Sequence, residues 1–267
     1  MKENNLIQTN KISFLHDDEQ IIFCKRDVIL EEYKRISQLD RDVILIVGNS
    51  DYTFDSQIFE LRPKNVKHFF AQNSTVINDI CTPLPIGVEN EILPKRHGHG
   101  AINNEIFQKK DLLVNPPETE IENKIDLLYS NFSVNTQRSV REPIKNLSIN
   151  SPHITWEHGV SYQHFVNQIK NHKATLSPRG NGIECIRTYE VLYLNEIPIC
   201  IGDRAEYSAT IEGIYKFLPI VFIDNLDYLM DIKYIDSEIK KVKNNSRELL
   251  DFEYWESKII ETVKKVL

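Results

Sequence analysis

The stretch Ser177-Pro178-Arg179-Gly180-Asn181-Gly182-Ile183-Glu184-Cys185-Ile186-Arg187-Thr188-Tyr189-Glu190 carries residue types suited to holding an anion. It follows an apolar run, passes through two glycines, and enters a helical pattern reaching to about Asn195. A glycine-rich turn from strand to helix lets the backbone approach a ligand and aims free N–H groups at negative charge. Arg179 and Arg187 bracket the turn, and each can fork onto a phosphate. Glu184, Arg187 and Glu190 recur every third residue, fanning across roughly 120° of a helix that is otherwise largely apolar. Charges on a buried helix need partners, so the spacing fits either a ligand site or a ligand-free chain of i,i+3 ion pairs. The glycine turn directly upstream favours the site. A dinucleotide fingerprint does not fit: the third glycine of G-x-G-x-x-G falls on Cys185, and the motif lies past the middle of the chain.

The elements that position this stretch are short β-rich apolar runs alternating with helical patterns, the mark of parallel sheets covered by helices. Ile21–Cys24 is followed by an amphipathic stretch from Asp27, read as its N-cap, to Leu39, and then by Val43–Val47. Val66–Ala71 and Pro83–Val88 are further candidate strands. Residues 90–117, with Lys95-Arg96-His97-Gly98-His99-Gly100 and Pro116-Pro117, have the composition of a loop or linker. Alternation resumes at Ile125–Ser130, His153–Trp156, Ala174–Leu176, Ile197–Ile201 and Pro219–Ile223, and the tail from Asp236 to Leu267 reads as two helices. The expectation is an α/β chain of two Rossmann-like halves, residues 1–108 and 109–267, whose facing strand ends form a cleft.

Composition narrows the function. With 267 residues, 41% of them hydrophobic, the chain can build such cores. Its 32 Lys and Arg against 39 Asp and Glu give a net charge of -7, which argues against general nucleic-acid binding. Cys24, Cys81, Cys185 and Cys200 form no C-x-x-C pair and are read as reduced thiols of a cytoplasmic protein. No apolar run approaches a membrane span, so no transmembrane segment is expected.

The run from Leu176 through Arg187 and Glu190 to Ile197-Pro198-Ile199 resembles the donor-binding signature of exostosin-like glycosyltransferases, a group with bacterial and large-DNA-virus relatives. Phe23-Cys24, Gly48-Asn49-Ser50-Asp51-Tyr52, Phe70-Ala71-Gln72-Asn73 and Pro85-Ile86-Gly87-Val88-Glu89-Asn90 are also similar to that group, so the resemblance covers both halves. It implies a GT-B arrangement with a nucleotide-sugar donor on the C-terminal half and a glycan acceptor mainly on the N-terminal half. The donor it implies is a UDP-sugar such as UDP-xylose, UDP-glucose or UDP-N-acetylglucosamine, transferred with inversion. On that template Glu190 holds the ribose, and Arg187 with Arg179, Gly180, Asn181 and Gly182 meets the diphosphate, with Glu184 beside them. Asn131, Ser133 and Arg138 or Arg141 hold the diphosphate or the transferring sugar, while Asn49, Asp51, Asn73 and Glu89 face the acceptor. Retaining GT-B enzymes often carry two glutamates separated by seven residues; the position eight before Glu190 is Gly182, which points away from retention.

Inverting transfer needs a base for the acceptor hydroxyl and positive or N–H groups for the departing diphosphate. Asp51, just beyond Val43–Val47, is the first candidate base, although its position also suits an N-cap or Asx turn. Glu89 is the reserve, and His16 with Asp17 and Asp18 a third choice. Arg187 and a helix N-terminus take the second task, so neither metal nor cofactor is expected. Asp40-Arg41-Asp42 has the D-x-D form of metal-dependent transferases but precedes its strand and is read as a solvated turn. His97 and His99 lack a third metal ligand nearby and read as part of a loop. Trp156 and His158 end a strand, where they can touch a base or sugar, with core packing the alternative for Trp156. Tyr254 and Trp255 pack the last helix, which is free to cross back to the first half. A catalytically silent subunit that binds a sugar nucleotide or a glycan is the alternative function, distinguished by whether free nucleoside diphosphate is produced.

Overall fold

A computed structural model describes residues 5–92, 104–116 and 124–267. In chain order the elements are α1 (Thr9–Ile12), β1 (Ile21–Lys25), α2 (Ile29–Ile36), β2 (Val43–Gly48), α3 (Ser56–Glu60), β3 (Val66–Ala71), β4 (Cys81–Pro83) and α4 (Asn104–Val114). There follow β5 (Ile125–Asn131), α5 (Arg138–Asn150), β6 (Ile154–Glu157), α6 (Tyr162–Asn171), β7 (His172–Pro178), α7 (Ile186–Tyr193), β8 (Pro198–Ile201), α8 (Ser208–Gly213), β9 (Val221–Ile223), α9 (Ile232–Val242) and α10 (Phe252–Val266).

The first sheet is parallel, in the order β1-β2-β3-β4. Ile22, Cys24, Val43, Leu45, Val47, Phe69 and Ala71 pack beneath α2 and α3. Strands added in sequence by right-handed crossovers place their helices on one face, leaving the other bare. That second face, with Ile21, Phe23, Ile44, Ile46 and Phe70, is covered by Leu6, Ile7, Ile12 and by Phe252, Trp255 and Ile259 of α10. The last helix therefore crosses back, anchored where Phe252 N donates to Asn5 O at 3.0 Å. Tyr129, Phe165, Tyr189, Leu192 and Cys200 of the second half belong to the same buried cluster, so one core runs beneath both sheets.

The second sheet is also parallel, in the order β6-β5-β7-β8-β9. Its strand order reverses between β5 and β7, and in such sheets the crevice outside those carboxyl ends is where ligands bind. The outer face carries Leu128, Ala174, Leu176, Ile199 and Ile201 beneath Ile144 of α5 and Ile235 of α9.

Several local expectations change. Asp27 does not cap α2: a 3-10 turn over Arg26–Val28 intervenes, Val28 takes the N-cap position, and the helix ends at Ile36. Pro83–Val88 is not a strand. β4 stops at Pro83, and the chain turns to pair with the N-terminal segment, Val88 N donating to Ile7 O at 2.9 Å. Gly87 allows that turn, with φ +70° and a would-be Cβ only 2.1 Å from Ile7 O. The helix expected from Glu184 begins at Ile186, and the first tail helix begins at Ile232. Residues 108 and 109 lie within α4, while Lys95, Arg96, His97, His99 and Pro117 lie outside the described residues. Among the described residues no helix is long and apolar enough to cross a membrane.

Candidate functional site

The carboxyl ends of the two sheets open on a cleft of about 1070 Å³, lined from both halves. On the first half, Asn49 directly follows β2 and Asn73 stands two residues beyond β3, both in left-handed conformations, with φ of 53° and 48°. Asparagine tolerates this region better than most side chains. Gln72 ties the ends together, its Oε1 accepting from Asn49 N at 3.0 Å and its Nε2 donating to Pro85 O at 3.0 Å. Ser50, Asp51 and Tyr52 then reach the cleft.

On the second half, the loops at the strand-order reversal supply Ser133 and Thr136 after β5, and Gly180, Asn181 and Gly182 after β7. Buried Arg141, in the first turn of α5, sutures these loops. Its guanidinium donates to Ser133 O at 2.8 Å, Arg179 O at 2.8 Å and Pro178 O at 3.3 Å, and reaches Cys185 Sγ at 3.8 Å. Burial lowers its pKa. Arg141 thus shapes the site more than it offers free donors to it.

The walls meet through Asn73. Its Oδ1 accepts from Glu184 N at 2.9 Å, and its Nδ2 donates to Ser50 O at 2.9 Å. A Cβ on Gly182 would fall 2.8 Å from that Oδ1, so the glycine is needed for close approach between walls. At the mouth, Asn181 Nδ2 donates to Asp51 Oδ2 at 3.2 Å. Glu184 lies buried behind this junction and accepts from the Tyr189 hydroxyl. Burial pushes its carboxyl up to about 8, opposed by that hydroxyl and by the backbone of Ile86 and Asn73.

Arg187 stands out. Its guanidinium lines the cleft without a hydrogen bond or ion pair among the described residues, and its Nε is buried without a partner. The Phe165 ring supports it, 5.4 Å from centroid to guanidinium carbon. The possible i,i+3 ion-pair chain is therefore not formed. Glu190 also lines the cleft; burial raises its pKa, opposed by the Arg187 charge and then by the Tyr162 hydroxyl.

The remaining expected site residues are off the cleft or already engaged. Arg179 is turned off the cleft surface, ion-paired with Glu206 and donating to Asn181 O at 3.1 Å, so it braces the turn from behind. Arg138 is exposed and pairs with Glu142 at 2.9 Å. Asn131 ends β5 below the cleft, its Nδ2 buried without a partner. Glu89 does line the cleft, but Lys109 holds its carboxylate at 2.9 Å. His16 is buried against Asp18 at 2.8 Å and is absent from the lining. Asp40-Arg41-Asp42 is an exposed turn at the amino end of β2, with Asp42 paired to Lys67 at 3.2 Å. Trp156 packs edge-on against Phe132, 5.0 Å between centroids. Among the described residues no group of His, Cys, Asp and Glu is arranged to hold a metal ion.

Sequence reasoning missed Lys25, Thr9 and Ile86 on the lining. For Lys25 a signal existed: it ends β1 in phase with Ile21 and Phe23, the residues facing the shared core. The chain matches no protein-family model, and no curated protein is significantly similar to it.

Proposed function

We propose that the chain is an inverting, metal-independent glycosyltransferase of GT-B type, moving a sugar from a nucleotide diphosphate, UDP foremost, onto a glycan hydroxyl. The observation that carries this reading is the uncommitted Arg187 guanidinium beside the Gly180–Gly182 turn, in a cleft formed by two sets of strand ends. A buried guanidinium N–H without an acceptor, as Arg187 Nε is, is costly, and an anion in the cleft would supply that acceptor. The first turn of α7, which no side chain caps, adds N–H groups for the same charge.

In this mechanism the acceptor hydroxyl attacks the anomeric carbon opposite the diphosphate. The new C–O bond forms as the bond to the diphosphate oxygen breaks, and that oxygen leaves with the electron pair toward Arg187. Asp51, exposed at the mouth and touching the glycine turn through Asn181, receives the hydroxyl proton. Glu190 takes the ribose hydroxyls. The D-x-D turn lies away from the cleft, and the mechanism needs no cofactor.

Thermal unfolding with UDP and other nucleoside diphosphates, followed by assays for released diphosphate with acceptor present, tests the reading. Arg187→Ala should stay folded and lose both nucleotide stabilisation and turnover, whereas Asp51→Asn should keep nucleotide binding and lose transfer. Unchanged turnover in Arg187→Ala refutes the assignment. Nucleotide binding without any diphosphate release leaves a silent binding subunit in its place.

A further inference from the structure

A second unpartnered cation faces the cleft from the opposite wall. Lys25 is half-buried, lines the cleft, and makes no hydrogen bond or ion pair among the described residues. Strand alternation explains where it points. Ile21 and Phe23 face the shared core, so Lys25, two residues further on, faces the same side where that core gives way to open cleft. In the sheet it stands opposite Gly48, immediately before Asn49. Arg26 Nε donates to Thr53 O at 3.0 Å and binds the Ser50–Thr53 turn to the end of β1.

That turn presents Tyr52, 65% exposed and on the lining, with its N–H fixed to Ser50 Oγ at 3.1 Å. Asp27 and Asp51 are the exposed carboxylates of the same wall, and neither is ion-paired with Lys25. The wall therefore offers three chemistries together: an aromatic face, two carboxylates that can accept hydroxyl hydrogens, and a cation awaiting an anion. A neutral sugar uses the first two, whereas an acidic one also gives the ammonium a charge-assisted hydrogen bond.

We propose that Lys25 recognises a carboxylate or phosphate carried by the saccharide on this wall, so that the acceptor is an acidic glycan whose ring packs on Tyr52. The acceptor role rests on the transferase reading; the binding claim does not. The test uses the whole chain, without donor, on an array of matched neutral, uronate-bearing and phosphorylated oligosaccharides. Wild-type protein should retain the acidic members, and the uronate and phosphate arms identify which anion is read. Lys25→Ala should lose about tenfold or more on the acidic members and nothing on neutral ones, because a charge-assisted hydrogen bond is removed. Tyr52→Ala should weaken both.

Preference for neutral glycans, retention of none, or equal acidic binding by Lys25→Ala overturns the proposal. UDP stabilisation is measured alongside. If Lys25→Ala loses it, Lys25 serves the donor and the proposal fails. If wild-type protein shows none while acidic glycans bind, the transferase reading fails and this one stands.

Discussion

Glu184 offers a sharp test of how the two halves are joined. Its carboxyl sits at the junction of the walls, where burial raises its pKa from 4.5 to about 8. In the unfolded chain the group loses its proton near the ordinary value; in the folded protein it keeps it to about 8. Between those limits unfolding releases a proton, so stability falls as pH rises. The contribution is fully present below the unfolded pKa and gone above the folded one. The slope is about 1.4 kcal/mol per pH unit, and a shift of about 3.5 units sums to roughly 5 kcal/mol. For a chain of this size each kcal/mol moves Tm by about 2–4 °C. Glu196 and Glu190 are also raised by burial, so the informative quantity is the difference between variants. Glu184→Gln holds the site neutral at every pH. Its Tm relative to wild type should therefore climb steadily from about pH 5 to pH 8 and then level off. Differential scanning calorimetry or fluorescence melts across that range measure it. Parallel curves would show that Glu184 is ionised in the folded protein and would refute the reasoning.

Gly182→Ala should cost about 1–3 kcal/mol in urea unfolding and weaken nucleotide binding, because the added Cβ drives into Asn73 between the walls. Cys185 is the cysteine that is not buried, and it lines the cleft. Iodoacetamide on the native protein should label it ahead of Cys24, Cys81 and Cys200, with UDP protecting it; mass spectrometry of the peptides would expose labelling that UDP leaves unchanged. Trp255→Ala should destabilise by about 3–5 kcal/mol, because this fully buried ring fixes α10 over the first sheet and its Nε1 donates to Leu249 O at 3.0 Å. A loss below about 1 kcal/mol would mean that α10 is not holding that face closed.

Much of the architecture was legible because its signals are local. Apolar runs such as Val43–Val47 and Ile197–Ile201 read as strands from β-branched composition, and the glycine turn before α7 announced an approach of backbone to something. The less legible features depended on partners distant in sequence. Pro83–Val88 has strand composition, yet its backbone pairs with Ile7 and Gln8. Arg179 and Arg187 looked equivalent as flanking cations. Glu206 claims the first in an ion pair, whereas the second makes no hydrogen bond or ion pair among the described residues and meets only the Phe165 ring and the field of Glu190.

The sequence alone determined that this is an α/β chain of alternating strands and helices, and it marked Ser177 to Glu190 as the stretch whose residue types suit an anion. Propensity, periodicity and glycine spacing act within a few residues and need no knowledge of the fold. The tertiary structure alone decided which charges remain available. Arg141 is absorbed by backbone carbonyls, Glu184 is buried in the seam, and Lys25 and Arg187 face the same cleft from opposite walls. Whether a charge is neutralised or left for a ligand depends on neighbours as distant in sequence as Asn73 is from Glu184, more than a hundred residues away, and only packing brings them together.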